Sequence, residues 1–372
     1  MTISELRLLN YRNYENEVIN LHPSVNIILG NNAEGKTNLI ESIFYLSTLR
    51  PIRPAKDKEL ISHGCGFAKV EATLNGADRR CSLEVMLSQT ERKQVAKNGV
   101  SIRKAADFIG LLRTVLFSPD DMNLIRDASV RRRRLVDIAL SQLRPKYMLH
   151  LQEYNRTLDL KSRTLRALEE KPSLAEMLPS YNEQIAVHGA MMITYRHQYL
   201  RLLEQHSAAM ATSISGGKDR MQIRYLSLSN IDDTSAPPEV LAQKIREHQA
   251  SHYQAELASK TCLTGPHRDD FEVLINGNPA KSFASQGQTR TAVLSIKLAE
   301  RDIVKEETGE YPVLLLDDVL SELDSDRQNF VLNRINSGQV VISSCTMDRY
   351  AEITKGRVFK IRGGTVIQAQ DI

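Results

Sequence analysis

Gly30-Asn31-Asn32-Ala33-Glu34-Gly35-Lys36-Thr37 places two glycines with four residues between them and follows the second with Lys and Thr. Glycines at those positions let backbone N–H groups curl round a phosphate at a helix N-terminus, where the peptide dipoles favour negative charge. Lys36 then reaches the outer phosphates, and the Thr37 hydroxyl ligates Mg²⁺. The flanks fit this reading: the β-branched run Val25-Asn26-Ile27-Ile28-Leu29 precedes the glycines, and a helix-period run from Asn38 to Phe44 follows. A nucleoside triphosphate with magnesium is the expected ligand.

A second set of candidates lies some 280 residues further on. Val313-Leu314-Leu315-Leu316 is an apolar strand that ends in Asp317-Asp318. Open α/β sheets hold ligands at the carboxyl ends of such strands, so Asp317 is expected to hold Mg²⁺ and Asp318 to polarise the attacking water. Capping of a helix is the alternative use of such carboxylates. Upstream, Phe283-Ala284-Ser285-Gln286-Gly287-Gln288 opens a further helix with a capping serine and a small residue. One chain has a single Lys36-type loop, so a second phosphate-facing helix terminus at Ser285, Gly287 and Gln288 is expected to serve the nucleotide of another copy.

These residues need a scaffold. Ile3 to Leu9, Val18 to Leu21 and Val25 to Leu29 read as strands, with the polar aromatic turn Asn10-Tyr11-Arg12-Asn13-Tyr14 between the first two. Arg12 and Tyr14 either lie against the nucleotide or are an exposed Arg and a half-buried Tyr. Phe67 to Leu74 and Arg80 to Leu87 read as a strand pair joined at Asn75-Gly76, and Asn98-Gly99 marks another hairpin. Thr114 to Phe117 reads as a buried strand. From Asp120 to Lys260 the pattern is mainly helical, broken by Pro145, Pro172, Pro179 and Pro237-Pro238, which excludes one long coiled coil. A brief strand is expected at Gln222 to Leu226. Strand-rich sequence returns with Phe271 to Ile275, followed by helices over 285–304 and 324–335 and a strand at Val340 to Ile342. The P-loop domain is therefore expected to be discontinuous, 1–119 with 261–372, around an inserted helical domain, 120–260.

Composition narrows the class. The 372 residues are 41% hydrophobic and 25% charged, which favours neither disorder nor a membrane protein. No apolar run approaches the ~18 residues of a membrane helix, and Met1-Thr2-Ile3-Ser4-Glu5 does not start like a signal peptide, so a cytoplasmic protein is expected. Cys65, Cys81, Cys262 and Cys345 are widely spaced and read as buried free thiols. A net charge of +4 implies no partner by itself, but its distribution is uneven. Arg126 to Arg166 holds eleven Lys/Arg against four Asp/Glu, whereas Leu298 to Asp326 holds two against ten. Arg131 to Arg134 either contact a nucleic-acid backbone or are solvated and carboxylate-paired. The absence of Trp and the scattered Phe and Tyr argue for duplex backbone contact over base stacking. His267 and Arg268 are equally open, as nucleotide contacts or as hydrogen bonds at the domain junction.

Together these motifs resemble the RecF family of DNA replication and repair proteins, within the wider class of ABC-type ATPases with heads like those of SMC proteins. The carriers span nearly the whole chain: Gly30 to Thr37 as Walker A; Phe117-Ser118-Pro119-Asp120-Asp121 with Arg131 to Asp137; Gly265-Pro266-His267-Arg268-Asp269-Asp270; the signature Ser285-Gln286-Gly287-Gln288; and Leu314 to Asp318 with Ser321-Glu322-Leu323-Asp324 as Walker B and D-loop. The resemblance implies an α/β fold, an ABC-type P-loop ATPase head with mixed sheets plus an inserted mainly helical domain. It further implies an ATP-driven head-to-tail dimer, with each ATP held between Gly30–Thr37 of one subunit and Ser285–Gln288 of the other. The family binds double-stranded DNA and gapped or junction DNA when ATP-bound, hydrolyses ATP slowly, and works with RecR and RecO to help RecA load at gaps. Two departures from ABC transporters stand out: Asp318 replaces the usual Glu, and Ser343-Ser344-Cys345-Thr346 lacks the usual His. Both fit slow hydrolysis. The competing classes are a monomeric metabolic kinase or NTPase using Lys36 and Asp317 alone, and a transporter-associated ATPase, which the large helical insert disfavours.

Overall fold

The structure is a computed structural model that describes residues 1–76, 80–335, 337–347 and 355–372. In chain order it begins with strands β1 (Thr2–Tyr11), β2 (Tyr14–Asn20) and β3 (Val25–Leu29), then helix α1 (Lys36–Thr48). Strands β4 (Phe67–Asn75), β5 (Arg80–Ser88), β6 (Gln94–Lys97) and β7 (Val100–Ile102), helix α2 (Ala105–Phe108) and strand β8 (Thr114–Phe117) follow. The middle is built from α3 (Ser129–Leu143), α4 (Pro145–Ala167), α5 (Leu178–Ile214), β9 (Met221–Leu226), α6 (Pro238–Ser259), β10 (Asp270–Ile275), β11 (Asn278–Pro279) and α7 (Ala280–Phe283). Then come α8 (Gln286–Thr308), β12 (Val313–Asp317), α9 (Ser325–Arg334), β13 (Val340–Ser344), β14 (Gly356–Arg362) and β15 (Thr365–Asp371).

Two compact units result, residues 1–123 with 293–372, and residues 124–292. In the first unit, one sheet has the antiparallel order β2-β1-β4-β5-β6-β7 and the other the order β15-β14-β3-β13-β12-β8. The second sheet is parallel from β14 through β8, with β15 antiparallel at its edge. Every residue of β12 and β13 is buried, as central parallel strands covered on both faces require. Helix α1 packs against β4 and β5 of one sheet and β8, β12 and β13 of the other. That position explains why Leu39, Ile40, Ile43, Phe44, Tyr45 and Leu46 are all buried although they point to different sides of the helix.

The second unit packs α4 against α5 and α5 against α6, with α3 lying on β10. Its sheet has the order β11-β10-β9, and β10 pairs with β9 in antiparallel register from Asp270↔Leu226 to Ile275↔Met221. This pairing draws the stretch 261–292 into the second unit, so the return to the first unit falls at Val293 and not near 261 as expected from the sequence. The hairpin β14–β15 was also unexpected. Its buried residues are few, since β15 has no fully buried side chain and β14 alternates Phe359 and Ile361 with exposed Lys360 and Arg362. Among the described residues, no helix is long and apolar enough to cross a membrane.

Candidate nucleotide site

The turn from β3 to α1 is tight on both of its glycines. A Cβ on Gly30 would lie 2.7 Å from the carbonyl oxygen of Ile361, and Gly35 has φ of 113°, a conformation closed to most L-residues. Residues behind the loop hold its backbone. Tyr14 donates its hydroxyl proton to the Gly35 carbonyl at 2.9 Å, while Asn13 Nδ2 and the Gly364 amide both donate to the Glu34 carbonyl, at 3.2 and 2.9 Å. Arg12 Nε donates to Glu41 Oε2 of α1 at 2.8 Å. Tyr14 thus supports the loop and Arg12 braces helix α1, and Tyr14 is fully buried where the sequence leaves open a half-buried ring. Burial pushes its hydroxyl well above the ordinary tyrosine range, so it stays a donor.

Lys36 is only 7% exposed, and its ammonium donates to the carbonyls of Gly30 and Asn31 at 2.7 and 2.9 Å. It also lies 3.4 Å from Cys345 Sγ, and that thiol in turn sits 3.2 Å from Asn32 Oδ1. Cys345 is exposed and Cys65 and Cys81 are half-exposed, which corrects the expectation of buried thiols; Cys262 alone is buried. A cleft of about 630 Å³ is lined by Gly30, Asn31, Glu34, Cys345, Lys360 and Arg362 among others.

Asp317 closes β12 at 5% exposure. The registers Asp317↔Ser343 and Leu316↔Phe117 set it at the carboxyl ends of three parallel strands. Its Oδ1 accepts from Thr37 Oγ1 at 3.0 Å and from Ser343 Oγ at 2.8 Å. Burial raises its pKa, and these two hydroxyls oppose the rise. Asp318, with φ of 50°, is in the left-handed region, and its amide donates to Ser343 Oγ at 2.9 Å. The donor set suits magnesium. Thr37 and Asp317 offer hard oxygens 3.0 Å apart, and no cluster of three or more His, Cys, Asp or Glu occurs among the described residues. A cation there needs phosphate and water oxygens to complete its shell, as Mg²⁺ prefers.

Ser285 to Gln288 belong to the second unit. The Ser285 amide donates to Gln288 Oε1 at 3.1 Å and the Gln288 amide donates to Ser285 Oγ at 3.2 Å, a reciprocal cap on the long helix α8. Gln288 Nε2 also donates to Asp219 Oδ1 at 2.9 Å. Ser285 and Gln286 are exposed and Gly287 is half-buried, so the helix start is open to solvent.

The RecF/RecN/SMC N terminal domain family model matches residues 2–363. A DNA replication and repair protein RecF from Clostridium novyi (strain NT) is 36% identical over 370 residues, spanning 99% of this chain and all of that one. The chain belongs to the RecF family. A solved structure of the recombination mediator protein RecF-ATP in the RecFOR pathway superimposes with a TM-score of 0.90 at 31% identity, covering 100% of this chain and 97% of that one. An Smc head domain from Pyrococcus furiosus, with an extended coiled coil, matches at a TM-score of 0.56 and 15% identity and shares the fold. The α/β head with mixed sheets expected from the sequence is therefore the fold of this RecF-family chain.

Several residues left open by the sequence of this RecF-family chain have defined partners. The Arg132 guanidinium is buried, donates from Nε and Nη2 to both carboxylate oxygens of Asp270 at 2.7 and 2.9 Å, and donates from Nη1 to the carbonyls of Leu124, Ile125 and Asp127. Arg133 donates to the Asp269 carbonyl at 2.7 Å, and Arg131 pairs with Asp127 at 2.7 Å. These contacts hold the second unit together. His267 lies 2.6 Å from the Tyr154 hydroxyl through Nδ1 and donates from Nε2 to the Cys262 carbonyl at 3.2 Å, contacts that lie inside the second unit and not at the domain junction. Ser343 is the contact that sequence reasoning missed, since it depends on β12–β13 register and has no local motif.

Proposed function

We propose that this protein is an ATP-dependent, DNA-binding recombination mediator of gap repair that works in the cytoplasm. In this reading ATP drives a head-to-tail dimer, in which Gly30, Asn31, Asn32, Ala33, Glu34, Gly35, Lys36 and Thr37 of one copy cradle the triphosphate. Ser285, Gly287 and Gln288 of the other copy cover it. Thr37 and Asp317 hold Mg²⁺, which when bound draws charge from the phosphate oxygens. Lys36 keeps its ammonium on the outer phosphates, and Asp318 accepts the proton of the attacking water. Its short side chain fits slow turnover. The dimer binds double-stranded and gapped or junction DNA, and with RecR and RecO it helps load RecA.

The observation that carries this reading is the convergence of Thr37 Oγ1 on Asp317 Oδ1 at 3.0 Å beside the loop-bound Lys36 ammonium. The solvent-open, capped start of α8 supports the shared site. Sedimentation velocity with and without ATP and Mg²⁺ tests it. A dimer that forms with nucleotide and is lost in Ser285→Arg is expected; a monomer under every condition overturns the reading in favour of an ordinary kinase or NTPase. Filter binding to duplex DNA should strengthen with ATP and weaken as salt rises, and equal binding in both nucleotide states overturns the gating.

A further inference from the structure

Ser343 occupies a place where packing alone calls for an apolar residue. Strand β13 is wholly buried and its preceding residues are Val340, Val341 and Ile342, while Ser343 is 1% exposed. A buried hydroxyl is unfavourable unless its bonds are made, and this one makes two. It donates its only proton to Asp317 Oδ1 at 2.8 Å and accepts from the Asp318 amide at 2.9 Å. One side chain therefore fixes both carboxylate residues. The Thr37 hydroxyl reaches the same Oδ1, so two donors converging on one oxygen define the plane of the carboxylate. The bond to the Asp318 amide falls where the backbone turns left-handed, φ 50°, a region that aspartate enters more readily than most non-glycine residues and that this bond helps to hold.

We propose that Ser343 is a positioning residue of the magnesium-nucleotide site. It orients the Asp317 carboxylate toward the cation and holds the bend that aims Asp318. The inference rests on the nucleotide reading above. Partners of metal-holding carboxylates of this kind typically change metal affinity ~10–100-fold when removed.

The test is equilibrium binding of a fluorescent N-methylanthraniloyl ATP to the full chain, in EDTA and across a Mg²⁺ titration. Ser343→Ala should bind the analogue in EDTA within about twofold of the wild type, and should need about tenfold more Mg²⁺ to reach half of its magnesium-dependent gain. Ser343→Thr keeps the hydroxyl and suits a strand, so it should restore the wild-type midpoint. Ser343→Cys keeps the volume with a weak donor and should shift the midpoint as Ala does, which carries the test if the Ala variant does not fold. Wild-type magnesium dependence in both the Ala and Cys variants overturns the inference while leaving the nucleotide reading intact. A wild-type protein that binds no analogue in either buffer overturns both.

Discussion

The Tyr14 hydroxyl donates to the carbonyl of Gly35 at 2.9 Å, which ties the β1–β2 turn to the residue that starts α1. That carbonyl also receives the Leu39 amide at 3.0 Å, so the loop and the first helical turn share one acceptor. Tyr14→Phe removes a buried donor while keeping the ring. It is expected to lower stability by about 1 kcal/mol and to weaken ATP binding several-fold, because the loop loses a fixed support. Urea unfolding and a fluorescent-ATP titration check the two effects. Unchanged nucleotide affinity would remove Tyr14 from any part in shaping the loop.

Arg132 and Arg131 separate packing from surface charge. Arg132→Ala leaves Asp270 and several carbonyls facing an empty space, and breaking a buried pair of this kind costs about 3–5 kcal/mol. Arg131 sits at the surface beside Asp127, and Arg131→Ala should change stability by less than about 1 kcal/mol. Denaturant midpoints of the two variants give the comparison. If Arg132→Ala proves as stable as Arg131→Ala, the contact with Asp270 carries little of the unit's stability.

Much of the site was legible because its chemistry is local. The spacing of Gly30, Gly35, Lys36 and Thr37 and the run ending in Asp317 each lie within one strand–turn segment, so a short window contains the whole signal. The capping of Ser285 by Gln288 is equally local. What escaped depends on contacts across the chain. Carboxylate pairing is one of the readings open for Arg132, but neither its burial nor its partner can be read locally, because Asp270 is 138 residues away. Tyr14 looked like a ligand contact or a half-buried tyrosine because only the folded turn brings Gly35 over its hydroxyl. The boundary at Val293 followed from the β9–β10 pairing, which no linker composition marks. The β14–β15 hairpin did carry a readable signal: Gly363-Gly364, both at positive φ, is a turn pair of the kind that joins antiparallel strands.

His267 sets a pH dependence of definite sign. Burial pushes its pKa down to about 4, and the ring is bonded as a neutral tautomer between Tyr154 and the Cys262 carbonyl. In the unfolded chain a histidine titrates near pH 6.5. Between about pH 6.5 and 4 the unfolded state therefore binds more protons, and stability rises with pH. The contribution is complete above the unfolded pKa and is lost as pH falls toward the folded one. It amounts to at most roughly 3 kcal/mol. His267→Gln should flatten this part of the stability profile relative to the wild type, measured by urea unfolding at several pH values from 7 to 4. Parallel profiles for the two proteins would mean that His267 is protonated without penalty.

Asp317 sets function against stability. Burial raises its pKa, so the ionised form that the proposed magnesium site calls for is the form that the fold disfavours. Its sign is opposite to that of His267: the folded state holds the proton more tightly than the unfolded state, and this residue's contribution to stability falls as pH rises through its folded pKa. Asp317→Asn keeps an oxygen to accept from Thr37 and Ser343 but carries no charge to bury. It is expected to raise stability near neutral pH by about 1 kcal/mol, a few degrees in Tm. The same change should abolish the magnesium-dependent part of ATP binding and any hydrolysis. Thermal melts in EDTA, paired with magnesium titrations of nucleotide binding, check both halves. A variant that melts earlier than the wild type would show that the hydrogen bonds to Asp317 outweigh the desolvation of its charge.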